Sequence, residues 1–245
     1  MSVLVAEGAG VRHHRRWVVR GLDAVVEPGD LVALTGPPGS GRTTALLALA
    51  GRFRLTEGKI HTPPGTPPSA RETPATDETE PIDKAEPIDE AAPPPPPTRR
   101  GVSLGHVAGV TDPEPTATVA EHVRERLALL GRPRRRGVAY RCAEPLCAPI
   151  GNTDLEAVPL LGLPPGLRGR ELSPYQKQLL GLVLALVENP AVVALDDWDL
   201  GLDDAERADL LQTLTDLTAE GLAVIITART HPHAATRVIE LGIPA

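Results

Sequence analysis

Aromatic side chains are nearly missing from this chain. They make up 2% of it: one Phe, two Tyr and two Trp. A core must then be built from Leu, Val, Ile and Ala, and a hydrophobic content of 41% is enough for that. Cysteine is almost as scarce. Cys142 and Cys147 stand alone, without a second pair or a matching histidine pair. That spacing speaks against a zinc site and for two ordinary thiols in a reducing compartment. An excess of basic charge is also lacking: the formal net charge of -7 argues against a nucleic-acid binder. No apolar run is long enough to span a bilayer. The longest, Leu179 to Val187, is interrupted by Gly181 and falls far short of the ~20 residues needed. Any membrane role has to come through a partner. Glu7 arrives too early for a secretory signal. A length of 245 residues suits one domain with a subdomain.

What is present starts with Gly36-Pro37-Pro38-Gly39-Ser40-Gly41-Arg42-Thr43-Thr44. The apolar run Leu31 to Thr35 precedes it, and the helix-like run Ala45 to Ala50 follows. Strand, glycine turn and helix is the context a phosphate-binding loop requires. The glycines let successive N–H groups curl inward, and the helix adds its positive end. Thr43 stands where a hydroxyl ligates magnesium. The lysine usual after the last glycine is Arg42, which keeps the charge but carries a larger planar fork. The alternative is a structural glycine turn; the flanking elements favour phosphate.

Upstream, Val3 to Ala6 and Leu22 to Val26 are β-prone, with a turn at Glu27 to Asp30. Between them His13-His14-Arg15-Arg16-Trp17 forms a basic patch with one ring. It either stacks on an adenine or makes a solvated hairpin with Trp17 turned inward. Residues 62–98 change character. They hold 12 of the 27 prolines and eight acids against two bases, which accounts for six of the seven net negative charges. Such a composition predicts a disordered, partly polyproline insertion. Past it, Gly101 to Val107 suggests a strand and Thr116 to Leu130 a helix. The run Arg132 to Arg136 suggests a solvated basic face, and 137–171 show no clear period. Ser173-Pro174 predicts an N-cap with proline at the first helical position, leading a helix to Asn189-Pro190. Val192 to Leu195 is a buried strand ending in Asp196-Asp197, a placement that suits magnesium at the edge of a parallel sheet. A helix over Glu206 to Leu217 and strands at Ala223 to Thr227 and Arg237 to Leu241 complete the pattern.

In order and spacing these pieces resemble the ATP-binding subunit of an ATP-binding cassette (ABC) transporter, over nearly the whole chain outside 62–98. The phosphate loop matches at Gly36 to Thr44. Leu172-Ser173-Pro174-Tyr175-Gln176 occupies the place of the family signature, Leu-Ser-Gly-Gly-Gln. Leu195-Asp196-Asp197 follows where the family has a magnesium Asp and then a catalytic Glu. Gly201-Leu202-Asp203 matches the dimer-facing loop. A small-molecule kinase is the weaker option, because the spacing over 172–197 argues against it.

The departures are concentrated in the chemistry. Pro174 and Tyr175 replace two glycines, so one backbone donor is lost, although the Ser173 hydroxyl remains. Asp197 is one methylene shorter than Glu, and a misplacement of about 1 Å can cost roughly 100-fold in rate. Trp198 replaces a proline. His106 takes the place of a glutamine that contacts magnesium or its water. Ala228-Arg229 stands where a switch histidine is expected, and His231 comes three residues later. His13 or Trp17 would supply the adenine-stacking ring.

The resemblance implies an α/β fold of the P-loop NTPase type. A mixed or mostly parallel sheet would carry the loop, with an N-terminal antiparallel β segment and a small helical subdomain near 107–172, all in one domain. It implies ATP and Mg2+ as cofactors, held by the loop, Thr43, Asp196 and His106, with Ser173 reaching a partner's nucleotide. Arg42 and Asp197 would carry catalysis. Implied partners are integral-membrane subunits and a second ATP-binding subunit, at the inner face of the cell membrane. The alternative is a degenerate nucleotide-binding module, or the silent half of a heterodimer, that hardly hydrolyses.

Overall fold

The computed structural model describes residues 2–14, 16–62, 101–130 and 160–243. Most of the 62–98 insertion, both cysteines and the run Arg132 to Arg136 lie outside them. Two sheets form the body. Strands β1 (Leu4–His13), β2 (Arg16–Val26) and β4 (Glu57–His61) make an antiparallel sheet in the order β2-β1-β4. Strands β3 (Leu31–Thr35), β5 (Val102–Leu104), β6 (Val192–Leu195), β7 (Ala223–Ala228) and β8 (Arg237–Glu240) make a wholly parallel sheet in the order β5-β6-β7-β3-β8.

The N-terminal hairpin is longer than its β-prone runs suggest, since β1 and β2 pair from Leu4↔Val26 out to His13↔Arg16. The polar residues at its tip are carried by cross-strand hydrogen bonds rather than by burial. Strand β4 is exposed along most of its length, so it offers no apolar alternation to read. It is fixed by pairing with β1 across a gap of more than 40 residues.

Parallel strands buried on both faces read as continuous apolar runs, and β3, β6 and β7 are buried throughout. Alternate side chains feed two cores. Leu31, Ala33, Val193, Leu195, Val224 and Ile226 face helices α3 (Pro174–Leu186) and α4 (Asp204–Ala219). Val32, Leu34, Ala194 and Ile225 face helix α1 (Arg42–Leu49) and the antiparallel sheet. Trp198 is the one aromatic among the described buried residues, so the aliphatic core expected from composition is what holds the sheet. Within 107–172, the described residues carry helix α2 (Val119–Leu129) and a 3-10 turn at Gly169–Glu171. No helix among the described residues is long and apolar enough to cross a membrane.

The strand order determines where a site can lie. β6, β7 and β3 are neighbours and run the same way, so the segments leaving their C-terminal ends open on one edge. In open α/β sheets that edge is where ligands bind.

Candidate nucleotide site

The loop after β3 is shaped by main-chain sterics. Gly36 has φ 152°, and a Cβ there would lie 2.4 Å from the Leu241 carbonyl oxygen. Gly41 has φ 84°, and its Cβ would lie 2.3 Å from the Val18 carbonyl oxygen. No side chain fits at either place. The crest, Pro37 to Gly39, is exposed, whereas Ser40 is buried. Gly41 is also the N-cap of α1, and no side chain caps that helix. Its first N–H groups therefore lack an internal acceptor and face the loop.

Two predicted magnesium groups meet here. The Thr43 hydroxyl donates to Asp196 Oδ2 at 2.9 Å. The other oxygen, Oδ1, accepts from the Thr227 hydroxyl at 2.6 Å. The Gln178 side-chain amide donates to the Asp196 carbonyl at 3.2 Å. Arg42 Nη2 lies 3.5 Å from Asp197 Oδ1, and Arg42 Nη1 is buried without a hydrogen-bond partner. Asp197 has φ 39°, a left-handed turn that Asp tolerates better than most residues. Burial, and then the charge of Asp196, push its carboxyl above the usual range, against the pull of Arg42 and Arg229.

The other predicted residues fall in different places. His106 contributes its carbonyl, which accepts the Asp196 N–H at 3.3 Å. Its imidazole pairs with Asp112 Oδ1 at 3.1 Å, so the contact with Asp196 runs through the main chain. Gly181 of α3 sits so close to the His106 backbone that a Cβ would come within 2.2 Å of its nitrogen. His13 stands exposed at the hairpin tip, its ring 4.2 Å from that of His14. The guanidiniums of Arg12 and Arg20 lie over the Trp17 ring, at 4.9 and 5.1 Å from its centroid. With Val19, Ser40 and Leu241 it lines a cavity of about 440 Å³ beside the loop. Ser173 caps α3: its Oγ accepts the Gln176 N–H at 3.2 Å, and its own N–H donates to Gln176 Oε1 at 3.0 Å. His231 is exposed, and β7 ends in buried Ala228.

Thr227 and Gln178 were not anticipated. The available signal was a hydroxyl at the end of the apolar run Val224-Ile225-Ile226, one step beyond the Leu195↔Ile226 pairing.

Architecture and loop together define a P-loop nucleotide-binding α/β protein. The profile of the family described as ABC transporter matches residues 19–199. The chain belongs to this family, as one of its ATP-binding cassettes. It is 31% identical over 216 residues to the Nod factor export ATP-binding protein I of Burkholderia thailandensis, a match covering 88% of this chain and 59% of that protein. It is 38% identical over 65 residues to the zinc import ATP-binding protein ZnuC of a Jannaschia species, across 26% of this chain and 27% of that one. ABC transporter 1 of Ajellomyces capsulatus is 29% identical over 86% of this chain, which spans only 14% of it. The chain thus spans less than two thirds of the length of these curated relatives. Among solved structures, an ATP-binding subunit of an ABC transporter superposes with a TM-score of 0.65 at 19% identity, covering 99% of this chain and 87% of that one. A dimeric cassette in a post-hydrolysis state with ADP and phosphate gives 0.60 at 16% identity, covering 98% and 94%.

Proposed function

We propose that this chain is the ATP-binding subunit of an ABC transporter. It holds Mg-ATP at Gly36 to Thr44 and hydrolyses it slowly to drive a separate membrane subunit. The observation that carries this reading is Arg42. A guanidinium with one nitrogen buried and unpartnered, beside an uncapped helix N-terminus, is short of an anion. The donor set fits the metal too: a hydroxyl and a carboxylate, Thr43 and Asp196, are hard oxygen ligands already in contact. Those two residues would hold magnesium, which when bound neutralises charge on the terminal phosphates.

The remaining steps belong to the chain. Loop N–H groups bind and orient the phosphates. Arg42 leaves Asp197 for the phosphate and stabilises charge on the group being transferred. Asp197, released from that pairing, accepts a hydrogen bond from the attacking water. Its short side chain keeps this step slow. Trp17 rather than His13 is the ring next to the cavity beside the loop, and it takes the role of base platform. A second ATP-binding subunit and polytopic membrane subunits are the proposed partners, at the inner membrane face.

One observation favours the alternative, a module that binds nucleotide without turnover or forms the silent half of a heterodimer. Ser173 and Gln176 cap each other and Pro174 offers no N–H, so the signature face has lost a main-chain donor and keeps only the Ser173 hydroxyl proton for a partner's nucleotide. Calorimetry with ATP and magnesium, followed by a phosphate-release assay, tests both. Binding with turnover that is lost in Asp196→Asn supports the enzyme. Binding without turnover supports the module. Absence of binding at millimolar ATP overturns both.

A further inference from the structure

We propose that Thr227 is a positioning residue that sets both carboxylates of the site with one hydroxyl. The inference rests on the magnesium-nucleotide reading above. Thr227 is fully buried near the end of a strand that is otherwise almost entirely apolar. Extending the parallel register beyond Leu195↔Ile226 sets it opposite Asp196. Its Oγ1 lies 2.6 Å from Asp196 Oδ1 and 2.7 Å from the Asp197 amide nitrogen.

A hydroxyl has one proton and two lone pairs. The Asp197 N–H can only donate, so it uses a lone pair of Thr227. The proton is then committed to Asp196. With the Thr43 hydroxyl on Oδ2, both Asp196 oxygens receive a hydroxyl proton and each keeps lone pairs for a cation. Hydrogen bonds to an ionised carboxylate are the strong ones. The same oxygen pins the Asp197 main chain in its left-handed turn, which sets the direction of that carboxylate. A β-branched side chain on a strand has few rotamers, so the hydroxyl is held before any ligand arrives. Thr227 touches neither nucleotide nor water in this account; it acts through Asp196 and Asp197.

The test compares ATP affinity by calorimetry, with magnesium and with EDTA, in the parent protein, Thr227→Val and Thr227→Ser. Val keeps the shape and loses the hydroxyl. Expected is a loss of about tenfold in the magnesium-dependent gain in affinity for Thr227→Val, with affinity in EDTA unchanged. Thr227→Ser keeps the parent ratio. A merely structural role would lower thermal stability without moving that ratio. Thr227→Val that is folded and matches the parent in magnesium overturns the proposal. Should Thr227→Val not fold, Thr227→Cys, a weaker donor, is read in the same way: a reduced ratio supports the proposal and a parental one overturns it. A parent protein that binds no ATP in either condition overturns the nucleotide reading itself, and this inference with it.

Discussion

The N-terminus of α1 and that of α3 are the same kind of backbone end, finished in opposite ways. Helix α3 closes on itself: Ser173 and Gln176 form a reciprocal capping box, and Pro174 fills the first helical position. Helices α2 and α4 do likewise, through Thr118 with Glu121 and Asp203 with Glu206. Among the four described α-helices α1 alone begins on a glycine without any side-chain cap. A glycine cap costs only a few tenths of a kcal/mol against a side-chain cap, and it leaves the first N–H groups open to an anion. Fold stability accounts for three of these ends. The fourth leaves its N–H groups without a side-chain acceptor, as the proposed nucleotide site requires.

The sharpest way to break this contrast is to fill the loop. Gly41→Val places a side chain against the Val18 carbonyl at a positive φ. ATP binding should vanish in calorimetry, with a stability loss of about 1–3 kcal/mol by denaturant titration. Next comes α3, whose part in the site is that of a strut. Gly181→Ala drives a Cβ into the His106 backbone, which cannot yield as a flexible side chain would. A loss of about 1–3 kcal/mol is expected, with weaker magnesium dependence because the His106 carbonyl holds Asp196. Removing the α3 cap with Ser173→Ala should cost about 1 kcal/mol and leave the ATP affinity of the monomer unchanged.

The smallest effect separates a charged cap from a neutral one. Glu121 is held below the usual glutamate range by the Thr118 N–H, and next by the Thr118 hydroxyl. Its stabilisation is complete above the ordinary glutamate pKa and fades as pH falls through the lowered one. Thermal melts of Glu121→Gln should therefore fall slightly below the parent at neutral pH and converge with it in acid. The neutral Ser173–Gln176 cap should show no such convergence.

Much of the fold could be read from local pattern. The loop at Gly36 to Thr44 is contiguous, and its flanking strand and helix are apolar in the right periods. The proline at the start of α3 was visible because capping is a matter of adjacent residues. Asp196 and Asp197 stood out because an apolar run ended in charge. What escaped notice depends on pairing between distant segments. Strand β4 exists only through β1, and Thr227 gains its meaning only from a register with β6. His106 was read by its side chain, whereas α3 presses on its backbone and leaves the carbonyl to act. Pro174 removes a donor by its own chemistry, which the sequence states directly. That Gln176 then consumes the Ser173 hydroxyl as acceptor required the geometry.

Trp198 gives the site an optical handle. It is 5% exposed, and its backbone N–H meets the Thr227 carbonyl at 3.4 Å. The only other indole is Trp17, so Trp17→Phe leaves a single indole, within two residues of Asp196. Its fluorescence should shift when ATP and magnesium arrive and lose the magnesium-dependent part of that shift in Asp196→Asn, so that an unlabelled protein signals its own occupancy.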